Sequence, residues 1–101
     1  MEETVASPID LPITRHASIR MRQRGIPPLA LECLLDFGRT LHDHRGAEVI
    51  LFDKQARKAC QRRLDASIYR QLERHFGVYA VRGTDGALVT VGHRRGHLSR
   101  P

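Results

Sequence analysis

The sequence predicts a single α+β domain, in which an N-terminal helix pair and two further helices pack on an antiparallel sheet built from two β-hairpins. Its 101 residues are a length typical of one domain. Helix-like and strand-like runs follow one another in the order α-α-β-β-α-α-β-β. Turn signals at Arg45-Gly46 and at Asp85-Gly86 separate the strands of the two hairpins.

Each element has a recognisable beginning or end. The helices are predicted at Arg15–Arg24, Pro27–Phe37, Lys54–Leu64 and Asp65–Phe76. The strands are predicted at Thr40–His44, Ala47–Phe52, Val78–Arg82 and Leu88–His93. Thr14 and Asp53 are good N-caps, because their side-chain oxygens can accept the free N–H groups of a first turn. Gly25, Gly38 and Gly77 are typical of residues that end helices.

The flanking segments, the hydropathy and the cysteines indicate a cytoplasmic domain at residues 13–93. Residues 1–12 are predicted to be a loose leader and residues 94–101 a basic tail. The chain shows no signal-peptide pattern and no apolar stretch long enough to span a bilayer. Cys33 and Cys60 are too few for the disulfide framework of a short secreted domain, so we expect them to be reduced and buried.

The charge of the chain indicates a polyanionic partner, with RNA as the leading candidate. There are 17 basic and 11 acidic residues, which gives a net charge of +6, and nearly all of the basic residues are arginine. Arginine contacts phosphate with two parallel N–H groups and stacks on bases, so a basic face on a small domain is a usual sign of nucleic-acid contact. A genome rich in arginine codons would give the same composition.

The first predicted helix carries the strongest candidate site. His16, Arg20 and Arg24 are spaced four residues apart, so they share one face of the helix. We expect the two arginines to hold a phosphate group, and a neutral imidazole in the first turn could act as a general base. The alternative is an ordinary solvated basic face.

The last predicted strand supplies a possible partner for His16. His93 ends this strand and is followed by Arg94 and Arg95. If the strand lies beside the first helix, His16 and His93 could be the base and acid that cleave RNA by attack of its 2′-hydroxyl, a reaction that needs no metal and no cofactor. Thr90 would contact the nucleic acid from the same strand. In the alternative interpretation, these are ordinary strand residues.

Two further patterns carry charge or metal-ligand chemistry. Lys54, Arg57, Lys58 and Arg62 fall on the outer face of the third predicted helix, with no acidic residue between them, which favours phosphate contact over a solvated face. In His42-Asp43-His44, two imidazoles at alternate strand positions point the same way and could bind a metal or line a nucleic-acid groove. Because no third ligand is evident, we predict no metal site.

The opening and the end of the domain together resemble a bacterial family. The run from Thr14 to Pro27 contains a His-Ala, an Arg-Met and an Arg-Gly-Ile, and the end contains Asp85-Gly86 followed by Val89-Thr90-Val91. This pattern resembles domain of unknown function 4258, which is similar to the RelE, ParE and BrnT-like toxins. The resemblance implies helices on an antiparallel sheet, metal-independent cleavage of RNA, and His16 as a possible catalytic residue. The helices between Lys54 and Phe76 depart from the family pattern.

These patterns favour an RNA-interacting, toxin-like domain, and metal-independent cleavage of RNA is the activity that we hypothesise for it. His16, Arg20 and His93 are the predicted catalytic residues. A non-catalytic nucleic-acid or ribosome-binding module is the first alternative. A protein-interaction domain held by an acidic, antitoxin-like partner is the second, and the oligomeric state stays open.

Overall fold

The computed structural model describes residues 4–5, 12–43 and 45–94 of the chain. These residues form four α-helices and six β-strands. The helices are α1 (Arg15–Gln23), α2 (Pro28–Phe37), α3 (Lys54–Arg63) and α4 (Ala66–Glu73). The strands are β1 (Thr4–Val5), β2 (Ile13–Thr14), β3 (Arg39–His42), β4 (Glu48–Leu51), β5 (Val78–Arg82) and β6 (Leu88–His93). The α+β class is therefore confirmed.

The strands form one mixed sheet in the order β1-β2-β6-β5-β4-β3. Both predicted hairpins are present and join through an antiparallel β4–β5 pair. The prediction of an antiparallel sheet built from two hairpins is nevertheless wrong, because β2 runs parallel to β6, with Ile13 opposite Leu88. β2, the strand that makes the sheet mixed, is absent from the sequence prediction. A strand of only two residues has no detectable periodicity.

The N-caps are formed as the sequence predicts. Thr14 Oγ1 accepts the Ala17 N–H at 3.2 Å, and Asp53 Oδ1 accepts the Ala56 N–H at 2.8 Å. Asp65 caps α4 in the same way, which divides the third and fourth helices. Each cap satisfies an N–H that has no partner within its own helix.

The core lies on one face of the sheet. α1 packs on β6, α2 packs on β4 and β5, α3 packs against α2, and α4 packs against α3. Phe52 is fully buried, and its ring meets that of Phe76 edge to face at a centroid distance of 5.1 Å. Cys33 and Cys60 are buried free thiols in this core, as predicted. No helix among residues 12–43 and 45–94 is both long and apolar enough to cross a membrane.

Candidate nucleic-acid interface

Three basic residues form an exposed stripe along α3. Lys54, Lys58 and Arg62, called here the outer stripe, are all exposed. They follow one another at four-residue intervals, about 6 Å along the helix axis, and so lie on one face. None of the three forms an ion pair within the part of the chain that the structure describes. Within the described residues, no carboxylate therefore pairs with the positive charges of this face.

Arg57 belongs to the same helix but lies differently from the other three. Its side chain is half-buried, and Nη1 donates to the carbonyl oxygen of Phe52 at 3.4 Å. This position follows from the helix geometry, because Arg57 lies between the outer stripe and the buried face of Ala56 and Cys60. Arg57 is thus directed toward the loop that enters α3.

Arg94 reaches the same carbonyl oxygen from the end of β6. Its Nη2 donates to Phe52 O at 3.5 Å, and its backbone N–H donates to Gly77 O at 2.6 Å. Two guanidinium groups therefore converge on one oxygen atom. Neither is ion-paired with a carboxylate of the described residues. Two unneutralised cations so placed favour an anion beside them.

His93 lies beside a histidine that the sequence analysis did not select. The rings of His93 and His75 have centroids 6.4 Å apart and planes inclined by 28°. His75 lies in the turn after α4, where its N–H donates to Leu72 O and its carbonyl accepts from Val78 N–H. These backbone bonds hold His75 next to the start of β5, where Val78 is the sheet partner of His93.

The surroundings of His75 favour its neutral form. Burial lowers the pKa of His75 below its ordinary value of 6.5, and the positive charges of His93 and Arg74 lower it further. His75 Nδ1 and Arg94 Nε are buried without a hydrogen-bond partner among the described residues. Buried polar atoms usually have partners, so two such atoms at one end of the sheet single out this region.

The row of His16, Arg20 and Arg24 predicted from the sequence lies on α1. His16 and Arg24 are exposed, Arg20 is half-buried, and Ala17 and Met21 face the core. The arginines at positions 20, 22 and 24 form no ion pair with another described residue. The ring of His93 contacts that of His75. The pairing of His16 with His93 stays a prediction.

The remaining residues of β6 are placed apart from these basic groups. Thr90 and Gly92 alternate with buried Val91, so they face away from the helices. The space over Gly92 is taken by the Tyr79 ring, which would lie 3.3 Å from an added Cβ. Gly92 thus accommodates a neighbour in the fold. Arg95 lies outside the described residues.

The His42-Asp43-His44 segment has a structural explanation at two of its positions. His42 Nδ1 lies 3.4 Å from Glu48 Oε2 across the β3–β4 hairpin. Asp43 Oδ1 accepts the backbone N–H groups of Arg45 and Ala47, which shapes the turn and ends β3 earlier than predicted. His44 lies outside the described residues, and the rest contain no group of three potential metal ligands.

A groove of about 390 Å³ runs beside the outer stripe. Its lining residues come from α2, β3, α3 and the N-cap of α3, and they are Phe37, Arg39, Asp53, Gln55, Ala56, Ala59 and Arg62. Arg39 Nη1 and Asp53 Oδ2 lie 3.4 Å apart in it. Arg62 is therefore both a member of the outer stripe and a wall of the groove.

From the sequence, His75 could have been identified as a neighbour of His93 only by combining two observations. Gly77 marks the end of the last helix and β6 ends at His93, so a hairpin register would bring the two segments together. The sequence does not give that register.

No family model, curated protein or solved structure matches the chain.

Proposed function

We propose that the protein binds RNA through the basic residues of α3 and α1. The observation that carries this proposal is the outer stripe, in which three exposed cations share a helix face without a described carboxylate partner. A solvated helix face usually has acids interleaved with its bases, and α3 has none from Lys54 to Arg63.

The arginines of α1 extend the same argument to a second helix. Arg20 and Arg24 lie on the face that also carries His16, and α1 packs on β6. Binding in this arrangement rests mainly on phosphate contacts, which carry little sequence information. We therefore expect the protein to bind single-stranded RNA with little dependence on sequence.

A metal-independent ribonuclease is the second candidate function. The observation that favours it is the contact between the His75 and His93 rings, since two imidazoles can supply the base and the acid of RNA cleavage. The resemblance to toxin families supports the same activity. The remaining alternatives are a ribosome-binding module and a domain held by an acidic, antitoxin-like protein, and both would use the same basic faces.

The proposal is tested by removing the charge of the outer stripe. The stripe variant replaces Lys54, Lys58 and Arg62 with Gln, and binding of fluorescent single-stranded RNA is measured by anisotropy. Three lost phosphate contacts should weaken binding on the order of 10²-fold at about 0.1 M salt.

The control variant replaces Arg45 with Glu and Arg82 with Gln, which lowers the net charge by three, as the stripe variant does. Arg45 lies in the β3–β4 turn and Arg82 at the end of β5, so both are outside α1 and α3. It should bind far more tightly than the stripe variant. Equal losses in both variants would refute a localised interface, and absence of RNA binding by the wild type would refute the proposal itself. Binding of an acidic protein instead would support the partner-held alternative.

A further inference from the structure

One end of the sheet brings together four nitrogen-bearing side chains from three segments. His75 follows α4, His93 ends β6 and is followed by Arg94, and Arg57 comes from α3. Leu51 pairs with Tyr79 and Val78 with His93, so the Phe52 carbonyl lies about two strand spacings, roughly 10 Å, from the backbone of His93. The two imidazoles and the two guanidinium groups thus occupy one corner of the fold.

We propose that His75 and His93 cleave single-stranded RNA, with Arg57 and Arg94 holding the RNA backbone beside them. The inference rests on the proposed function, since it requires that the chain bind RNA. It differs from the sequence prediction in its base, because His75 takes the role that was expected of His16. The 6.4 Å between the ring centroids leaves the two imidazoles close enough to act on the same phosphodiester.

The reaction assigns one proton transfer to each histidine. His75 takes the proton of the 2′-hydroxyl as that oxygen attacks phosphorus, and His93 donates a proton to the 5′-oxygen as the P–O5′ bond breaks. The products are a 2′,3′-cyclic phosphate and a free 5′-hydroxyl, so no metal, oxidant or other reactant is consumed. Because Nδ1 of His75 is buried, Nε2 is the atom that receives the proton.

A purely structural role explains these side chains less well. His75 Nδ1 and Arg94 Nε have no hydrogen-bond partner among the described residues, although such burial is unfavourable. The described residues also supply no third ligand that would make the two histidines a metal site. Buried polar atoms without a partner are rare in native proteins, and a site that receives a ligand accounts for both of these atoms.

The test is cleavage of a fluorescent single-stranded RNA by the full chain in EDTA, with RNA binding measured in parallel. His75→Gln and His93→Gln should each reduce the cleavage rate by about 10²-fold or more while binding changes little. The matched control is His42→Gln, which replaces an exposed histidine on β3 and should cut like the wild type. A 2′-O-methyl RNA should bind without being cut.

Thermal melting checks that each variant is folded. If His75→Gln does not fold, the wild type is instead titrated with uridine 3′-monophosphate while the NMR signals of His75 and His93 are followed. The proposal requires both signals to shift. Wild-type binding without cleavage would overturn this inference and leave the proposed function standing. Loss of cleavage in His16→Ala with full activity in His75→Gln would also overturn it. Absence of RNA binding would overturn both.

Discussion

The rings of His75 and His93 lie with their centroids 6.4 Å apart, although the two residues belong to different kinds of element. His93 is the last residue of β6, and His75 lies in the turn that leads from α4 to β5. The pairing of Val78 with His93 brings the two segments together. The contact is therefore fixed by the register of the sheet.

The lowered pKa of His75 predicts how stability depends on pH. In the unfolded chain His75 titrates near 6.5, and in the folded chain it titrates lower, so below about pH 6.5 the unfolded state binds more protons. Stability should consequently fall as the pH falls from about 6.5 toward the folded-state pKa. In His75→Gln this part of the fall should be absent, as measured by urea unfolding between about pH 5 and 7.5. The exposed-site variant His42→Gln should keep this fall in stability. Parallel curves of unfolding free energy against pH for the wild type and His75→Gln would contradict the prediction.

The packing of Tyr79 over Gly92 predicts a coupled pair of substitutions. An added Cβ at Gly92 would lie 3.3 Å from the Tyr79 ring, so Gly92→Ala should destabilise the fold by about 1–2 kcal/mol. In a Tyr79→Leu background the same change should cost less, which a double-mutant cycle of unfolding free energies measures. Thr90→Ala on the same strand face is the control. Strictly additive effects would show that the ring does not limit this position.

Phe52 is predicted to be the side chain whose truncation costs most. It is fully buried and contacts the Phe76 ring, so Phe52→Ala should reduce the free energy of unfolding by about 3–5 kcal/mol. Leu41 is 42% exposed, and Leu41→Ala should change the free energy of unfolding by less than about 1 kcal/mol. Denaturant unfolding of both variants compares the two sites. A cost at Phe52 no larger than that at Leu41 would contradict the assigned core.

The two thiols are predicted to be inert in the native protein. Burial raises the pKa of Cys33 to about 11, with smaller contributions from Cys60, Asp36 and Glu32. Burial also raises the pKa of Cys60. At pH 8 about one Cys33 in a thousand would be thiolate, the form that reacts. Alkylation followed by mass spectrometry should show little reaction in buffer and two modified cysteines in denaturant, and rapid native modification would argue against this burial.

The elements that local chemistry determines were predictable from the sequence. Asp53 and Thr14 cap their helices because each side chain bonds to an N–H three residues on, a signal that needs no tertiary structure. The parallel pairing of β2 was not predictable, because Ile13–Thr14 is too short to show a period of two. Its pairing depends on how α1 packs on β6.

The site shows the same division between local and long-range information. The outer stripe follows from residue spacing on a helix, and the structure exposes it as expected. The sequence predicts Arg57 on the same outer face as Lys58, yet in the structure its side chain donates to Phe52 O, as that of Arg94 also does. His75 was missed because its neighbour is 18 positions away in the chain, and the β5–β6 register that joins them is a tertiary property.

The salt dependence of RNA binding tests the central claim most directly. For single strands, each phosphate contact adds about 0.7 to the slope of log K against log salt concentration. Removing the three charges of the outer stripe should therefore make that slope shallower by about 2, while the charge-matched control should change it far less. A wild-type slope that is steep and is reduced in the stripe variant alone would support RNA binding through α3. Identical slopes for the wild type and the stripe variant would contradict it.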